Sequence, residues 1–314
     1  MGGSAPLIVV PRAEALVDEY VGTLGGKAAG TVDAYARILH QLTQWIAARP
    51  GNAGAFRPEA FTRTGLETYL AELGAAHYSV SHRARIKAVA SGFARWLIEE
   101  KEVLRHNPAR GVEIPAQAIL APRGLDVDQR YVLRELVEQA EDPRGAALFA
   151  LGYWAGCRVS DVSWLLIEHT HVSPKQGWLH VGHKGGKQRE IDLINEARKS
   201  LRTYLDHGGR DPESPYVFCS QRSERLSEAG IHHWFRTLKA RATKDQWPLI
   251  AEVTFHDLRH DFAHRARAAG WTLEEVAYYL GHVTKKGTPA IQTTARYTQV
   301  GREQVRAKLR HLGG

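Results

Sequence analysis

Apolar residues recur at three- and four-residue steps through the first third of the chain. Tyr35, Ile38, Leu42 and Ile46 fall on one face of a helix, and Thr31 stands where its N-cap belongs. Arg49, Pro50, Gly51 and Asn52 end that helix. A second helix is expected over about 65–73. A third follows Ser79 or Ser81, with Ile86, Val89, Phe93 and Leu97 as its buried stripe. Prolines at 108 and 115 exclude helix from 107–115, which reads as an extended linker running on to Pro122. A domain boundary is expected near 118–122.

The pattern changes after that point. Residues 144–154 are apolar nearly all round, which predicts a buried central helix. Gly156 and Cys157 end it, and Ser160 is placed to cap the next helix. Residues 178–181 and 189–193 read as short strands joined by a glycine-containing hairpin at 183–187, and 216–219 as a further short strand. Helices are expected over 227–241, 256–269 and 272–280, around Tyr297, and over 302–312. Thr272 and Glu275 form a capping-box signature, and Gly281 sits where a C-terminal glycine belongs. The fold class is therefore mainly α with a small β-hairpin sheet, the second part being α+β.

A length of 314 residues and 43% hydrophobic content suffice for two domains with real cores. Lys and Arg number 42 against 34 Asp and Glu, a formal charge of +8 that favours a polyanionic partner. The third helix sharpens this, since one side carries His82, Arg83, Arg85, Lys87 and Arg95, suited to DNA phosphates. The two cysteines offer no metal-ligand spacing and no disulfide framework, which fits a reducing compartment. The nearly apolar run at 146–157 is too short to span a bilayer, so no membrane role is expected. The N-terminus lacks a basic region before its short apolar patch, so no signal peptide is expected, and a cytoplasmic setting follows.

Candidate chemistry lies in the second part. His256 and Arg259 are three apart on a helix and share a side within its first turn, where backbone N–H groups and the helix dipole favour an anion. Arg158 follows the buried helix at a glycine-marked turn, and its planar fork suits two phosphate oxygens at once. Asp161 could orient Arg158 or His256, or simply favour the helix dipole. Lys184, at the hairpin tip, can donate a proton to a leaving oxygen, and Lys187 competes for that role. His282 could bond a phosphate oxygen or steer a tyrosine. Tyr297 is the candidate nucleophile, since Tyr278 and Tyr279 fall on the apolar pattern of their helix. A phenol with an ordinary pKa of about 10 needs nearby cations and a histidine to ionise.

Arg158 within Gly156–Cys157–Arg158–Val159–Ser160–Asp161, Lys184, His256 and Arg259 within Thr254–Phe255–His256–Asp257–Leu258–Arg259–His260, His282 after Leu280–Gly281, and Tyr297 occur in one order. Together they resemble the tyrosine recombinase (phage integrase) family. The resemblance covers most of the chain. It implies an N-terminal helical core-binding domain over 1–118, a linker at 119–122 and a catalytic domain over 123–314. It further implies a site-specific recombinase whose two domains clamp double-stranded DNA at a specific site. Tyr297 would form a 3′-phosphotyrosyl link, Arg158, Arg259, His256 and His282 would stabilise the phosphorane, and Lys184 would protonate the leaving oxygen. Strand exchange would pass through a Holliday junction in a homotetramer, on nucleoid-associated DNA in the cytoplasm, with no cofactor or metal. Two departures stand out. The interval from His282 to Tyr297 is longer than the family's usual one and is broken by Gly287 and Pro289, and Gln299 stands where a histidine is frequent. A DNA-binding relative without catalysis and a type IB topoisomerase-like relaxing enzyme are the alternative readings.

Overall fold

The computed structural model describes residues 13–115, 124–182, 188–220, 223–283, 288 and 290–295. The chain divides into two compact units, Met1–Ala118 and Ile119–Gly314. Among the described residues no helix is long and apolar enough to cross a membrane.

The first unit is built from α1 (Ala13–Gly22), α2 (Ala29–Ala47), α3 (Arg63–Ala75) and α4 (Val80–Glu99). The stripe read from the sequence is the core: Ile38, Leu42, Ile46, Ile86, Val89, Phe93 and Leu97 are buried, joined by Leu16, Val17 and Leu66. Ser79 caps α4, its hydroxyl accepting from the His82 N–H at 3.2 Å. Thr31 is not the cap of α2. That helix begins two residues earlier, after the extended backbone of Ala28. The expected extended linker at 107–115 is also corrected. The Asn107 side chain donates to the Ser91 carbonyl at 3.1 Å and accepts from the Ala109 N–H at 3.0 Å. The chain thus turns, and Ala109 and Val112 enter the core.

The second unit contains α5 (Val127–Gln139), α6 (Pro143–Tyr153), α7 (Val159–Ser163), three strands, α8 (Asn195–His207), α9 (Glu228–Lys239), α10 (Trp247–Ile250), α11 (Phe255–Ala268), α12 (Leu273–Leu280) and α13 (Ile291–Ala295). The all-round apolar helix α6 is central, packed between α8 and α11 with Ala147 to Tyr153 buried. Strands β1 (Thr170–Val172), β2 (Gly177–Val181) and β3 (Arg189–Asp192) form an antiparallel sheet in that order. Trp178 pairs with Asp192 and Val181 with Arg189, so Leu179, Val181 and Ile191 face the core. The expected strand at 216–219 is only an isolated bridge from Tyr216 to Leu166, with no ladder beyond it. Ser160 lies inside α7 rather than capping it, because Asp161 accepts the Arg158 N–H and the helix starts at Val159. The expected helix at 302–312 and the stretch from Arg296 onward lie outside the described residues.

Helix α11 is fastened by a buried carboxylate. Asp261, 0% exposed, accepts from Arg130 of α5 through Nε (3.0 Å) and Nη2 (2.8 Å), and from Arg265 Nε at 2.8 Å. A buried charge is tolerated because it is fully paired, and the pairing fixes the helix that carries His256 and Arg259.

Candidate active site

Helix α12 ends on a left-handed glycine, a second one turns the chain just beyond α6, and the carbonyls exposed at these turns hold the arginines. After α6 the chain reverses at Gly156 (φ +60°), and α12 is capped by Gly281 (φ +66°). A Cβ at Gly156 would lie 2.8 Å from Phe262 and 2.9 Å from Leu280, so the turn excludes any other residue. The last carbonyls of a helix lack partners within it and carry the negative end of its dipole, so a cation is favoured there. Arg259 donates through Nη1 to the Gly156 carbonyl and through Nη2 to the Leu280 carbonyl, both at 2.6 Å. Arg158 donates through Nη2 to the Gly281 carbonyl at 3.0 Å. Two cations from separate segments thus meet over one pair of turns. The Arg259 side chain is fully buried, and that of Arg158 is 34% exposed.

His282 lies against Arg259, its Nε2 3.0 Å from Nη2, while its Nδ1 is 3.1 Å from the Thr294 hydroxyl. Burial, and then Arg259 and Arg158, hold the His282 imidazole down to about 3, so it is neutral. Both ring nitrogens thus lie within hydrogen-bonding distance of protein groups.

Asp161 proves to be the partner of Arg158, and of a residue that motif reasoning passed over. Its Oδ2 accepts from the Arg158 N–H at 3.1 Å, lies 3.9 Å from Arg158 Nη1, and accepts from Arg189 Nη2 at 2.9 Å. Arg189 also donates through Nε to the Tyr279 carbonyl at 2.8 Å. It therefore ties the first residue of β3 to α7 and to the end of α12.

His256 stands on the first turn of α11, and Asp257 completes the cap by accepting from the Thr254 N–H and hydroxyl, both at 2.7 Å. The His256 ring has an exposed edge, yet partial desolvation and then Arg259 hold it below the usual histidine range. His260 packs edge-on against it at 4.4 Å, and burial and then His256 hold that ring down to about 4. Cys157, buried beside the site, is pushed up to about 12 by burial and Asp161, and acts as packing.

The structure thus brings together Arg158, Asp161, His256, Arg259 and His282, and adds Arg189 and Thr294. Lys184, Lys187 and Tyr297 lie outside the described residues, though β2 and β3 flank the first two and α13 ends two residues before Tyr297. Arg83, Arg85 and Lys87 lie on the first two turns of α4 in the other unit. Arg85 is exposed, and Arg83 folds over Gly74 of α3, where an added Cβ would lie 2.8 Å from its Nη1. Among the described residues no group of three His, Cys, Asp or Glu side chains could hold a metal ion.

Comparison with known proteins gives this arrangement a family. Residues 126–304 match the phage integrase family model. The tyrosine recombinase XerC of Pseudomonas aeruginosa is 30% identical over 277 residues, covering 87% of this chain and 84% of that protein. XerC of Pelobacter propionicus is 29% identical over 277 residues, with 88% and 86% covered. The Tn1549 transposon integrase in complex with circular intermediate DNA has the same fold, with a TM-score of 0.73 at 15% identity, covering 96% of this chain and 100% of that one. The lambda integrase bound to DNA gives 0.64 at 18% identity, with 93% and 98% covered. By its residues, its fold and its relatives, the chain belongs to the phage integrase family and is a tyrosine recombinase.

Proposed function

We propose that this recombinase cuts double-stranded DNA at a specific site and rejoins it through a covalent 3′-phosphotyrosyl intermediate. The observation that carries the reading is the convergence of Arg158 and Arg259 on the carbonyls of Gly156, Leu280 and Gly281. Guanidiniums held in this way make a preorganised seat for a phosphodiester. Charge developing on the pentavalent phosphorus then meets cations already in place. His256 and His282 join the arginines in stabilising the phosphorane, and Asp161 and Arg189 act through the arginines.

Tyr297 is the nucleophile. Its oxygen bonds to phosphorus, the bond from phosphorus to the 5′ oxygen breaks, and Lys184 gives that oxygen a proton. His256, kept neutral beside the arginines, accepts the phenolic proton. Rejoining reverses these steps, with the 5′ hydroxyl of a second strand attacking phosphorus. The phosphodiester bond is exchanged and never hydrolysed, so no ATP is required. Packing of α13 on α12 of the same chain supports attack within one protomer.

The unit ending at Ala118 is the core-binding domain and the unit from Ile119 is catalytic. Arg83, Arg85, Lys87 and Lys187 contact phosphates. Strand exchange passes through a Holliday junction in a homotetramer on synapsed sites, on nucleoid DNA in the cytoplasm. Arg158→Ala and Arg259→Ala should each lower single-turnover cleavage of a nicked duplex by on the order of 10²-fold or more, with DNA binding retained. Near wild-type cleavage by either variant would remove that arginine from the seat.

A further inference from the structure

Gly74 stands in the last turn of α3, where the backbone does not ask for glycine. Its conformation is helical rather than left-handed, and in a helix glycine is less favourable than alanine. What fills the place of its missing side chain is the guanidinium of Arg83, from near the N-terminal end of α4. A Cβ on residue 74 would lie 2.8 Å from Arg83 Nη1 and 3.2 Å from Cζ, and the three nearest atoms all belong to that side chain.

The guanidinium is not there to close α3. The carbonyls of the last turn already have donors: Glu72 accepts from the Ala76 N–H at 2.9 Å, Leu73 from the Tyr78 N–H at 2.9 Å, and Gly74 from the His77 N–H at 3.0 Å. The Glu72 carboxylate is taken as well, by Trp45 Nε1 at 2.7 Å and Arg49 Nη2 at 2.5 Å. Among the described residues the Arg83 guanidinium makes no hydrogen bond or ion pair, and its Nε is buried. The negative end of the α3 dipole favours a cation at this spot. Arg83 is therefore half-buried over the helix end without a protein acceptor, and its Nη groups are left for an outside anion.

We propose that Gly74 is a positioning residue for DNA binding: its bare Cα is the seat on which the Arg83 guanidinium lies, presented to a DNA phosphate. A side chain seated before DNA arrives loses less freedom on binding. The inference rests on the reading of Arg83 as a phosphate contact.

The test compares the full-length wild type with Gly74→Ala, Arg83→Ala and the double variant. Affinity for a labelled mixed-sequence duplex across a salt series, and thermal unfolding, are read for each. Such a duplex serves because phosphate contacts carry no sequence information. Arg83→Ala should weaken binding and lower the slope of log affinity against log salt by about 1. Gly74→Ala should push the guanidinium off its seat and raise Kd roughly threefold to tenfold. Its Tm should be unchanged or higher, since alanine favours the helix. A glycine kept for the fold alone would give the opposite pair of results. The double variant should bind like Arg83→Ala. Wild-type affinity and salt slope in Arg83→Ala would overturn the phosphate reading and the proposal with it. Weak binding by Arg83→Ala alongside wild-type affinity in Gly74→Ala would overturn the proposal and leave that reading standing. A lowered Tm in Gly74→Ala, or a double variant weaker than Arg83→Ala, would also overturn it, because the glycine would then serve the fold or act apart from Arg83.

Discussion

Gly281 is the residue whose replacement the geometry penalises twice, and Gly281→Ala measures both penalties. At φ +66° an alanine sits in the left-handed region, which costs about 1–2 kcal/mol. Its Cβ would lie 2.8 Å from Arg189 Cδ and 3.0 Å from Nη1, so Arg189 must shift. That guanidinium makes the 2.9 Å bond to Asp161 and the 2.8 Å bond to the Tyr279 carbonyl. A hydrogen bond involving a charged group contributes about 1.5–3 kcal/mol, and losing one of the two brings the total to about 2.5–5 kcal/mol. The assay is equilibrium urea unfolding in a double-mutant cycle. In an Arg189→Ala background, Gly281→Ala should cost only the backbone strain, leaving a coupling of about 1.5–3 kcal/mol. A cost below about 1 kcal/mol, or the same cost in both backgrounds, would refute the role given to Arg189.

The two buried histidines make stability depend on acid. His282 is held at about 3 and His260 at about 4, in each case chiefly by burial. The unfolded chain takes up these protons near pH 6.5, and the folded site refuses them until pH 3 to 4. Their contribution is therefore full above pH 6.5 and is lost as the pH falls through that window, by about 2 kcal/mol each between pH 7 and pH 5. His282→Gln should remove about half of this pH dependence, and an unchanged slope would contradict the assignment. Asp161→Asn should destabilise by about 3 kcal/mol and slow cleavage, because Arg189 stays buried without its carboxylate. Thermal unfolding and single-turnover cleavage check this, and an unaltered protein would show that the ion pair is idle.

The parts of the site that were legible in the sequence are those fixed by local rules. His256 and Arg259 lie three apart at the N-terminal end of one helix, the Thr272–Glu275 capping box is present, and Gly281 is the left-handed cap. Helix α4 was legible for the same reason, since a serine cap precedes a long regular stripe. Arg189 was not, because in sequence it is one cation among several near a hairpin, and its partners lie 28 and 90 residues away. The signal was present at the partners: a carboxylate at 161 beside an apolar helix needs a cation, and a glycine at 281 leaves room for one. Thr294 carried no such signal, since a threonine bonding a histidine twelve residues earlier follows no helical or strand period. Helix α8 shows only Ala197, Leu201 and Tyr204 as its buried stripe amid charged residues, too sparse a pattern to stand out. Local chemistry likewise misled at Thr31, Ser160 and 107–115, where capping and proline rules suggested boundaries that tertiary packing moved.

The most direct measurement is covalent trapping on labelled nicked duplexes drawn from DNA flanking the gene, resolved under denaturing conditions with a binding gel alongside. The wild type should give a protein-linked band that Tyr297→Phe lacks, while both bind the duplex. A linked band that survives in Tyr297→Phe would contradict the assignment of the nucleophile, and binding without any linked band in the wild type would contradict cleavage itself.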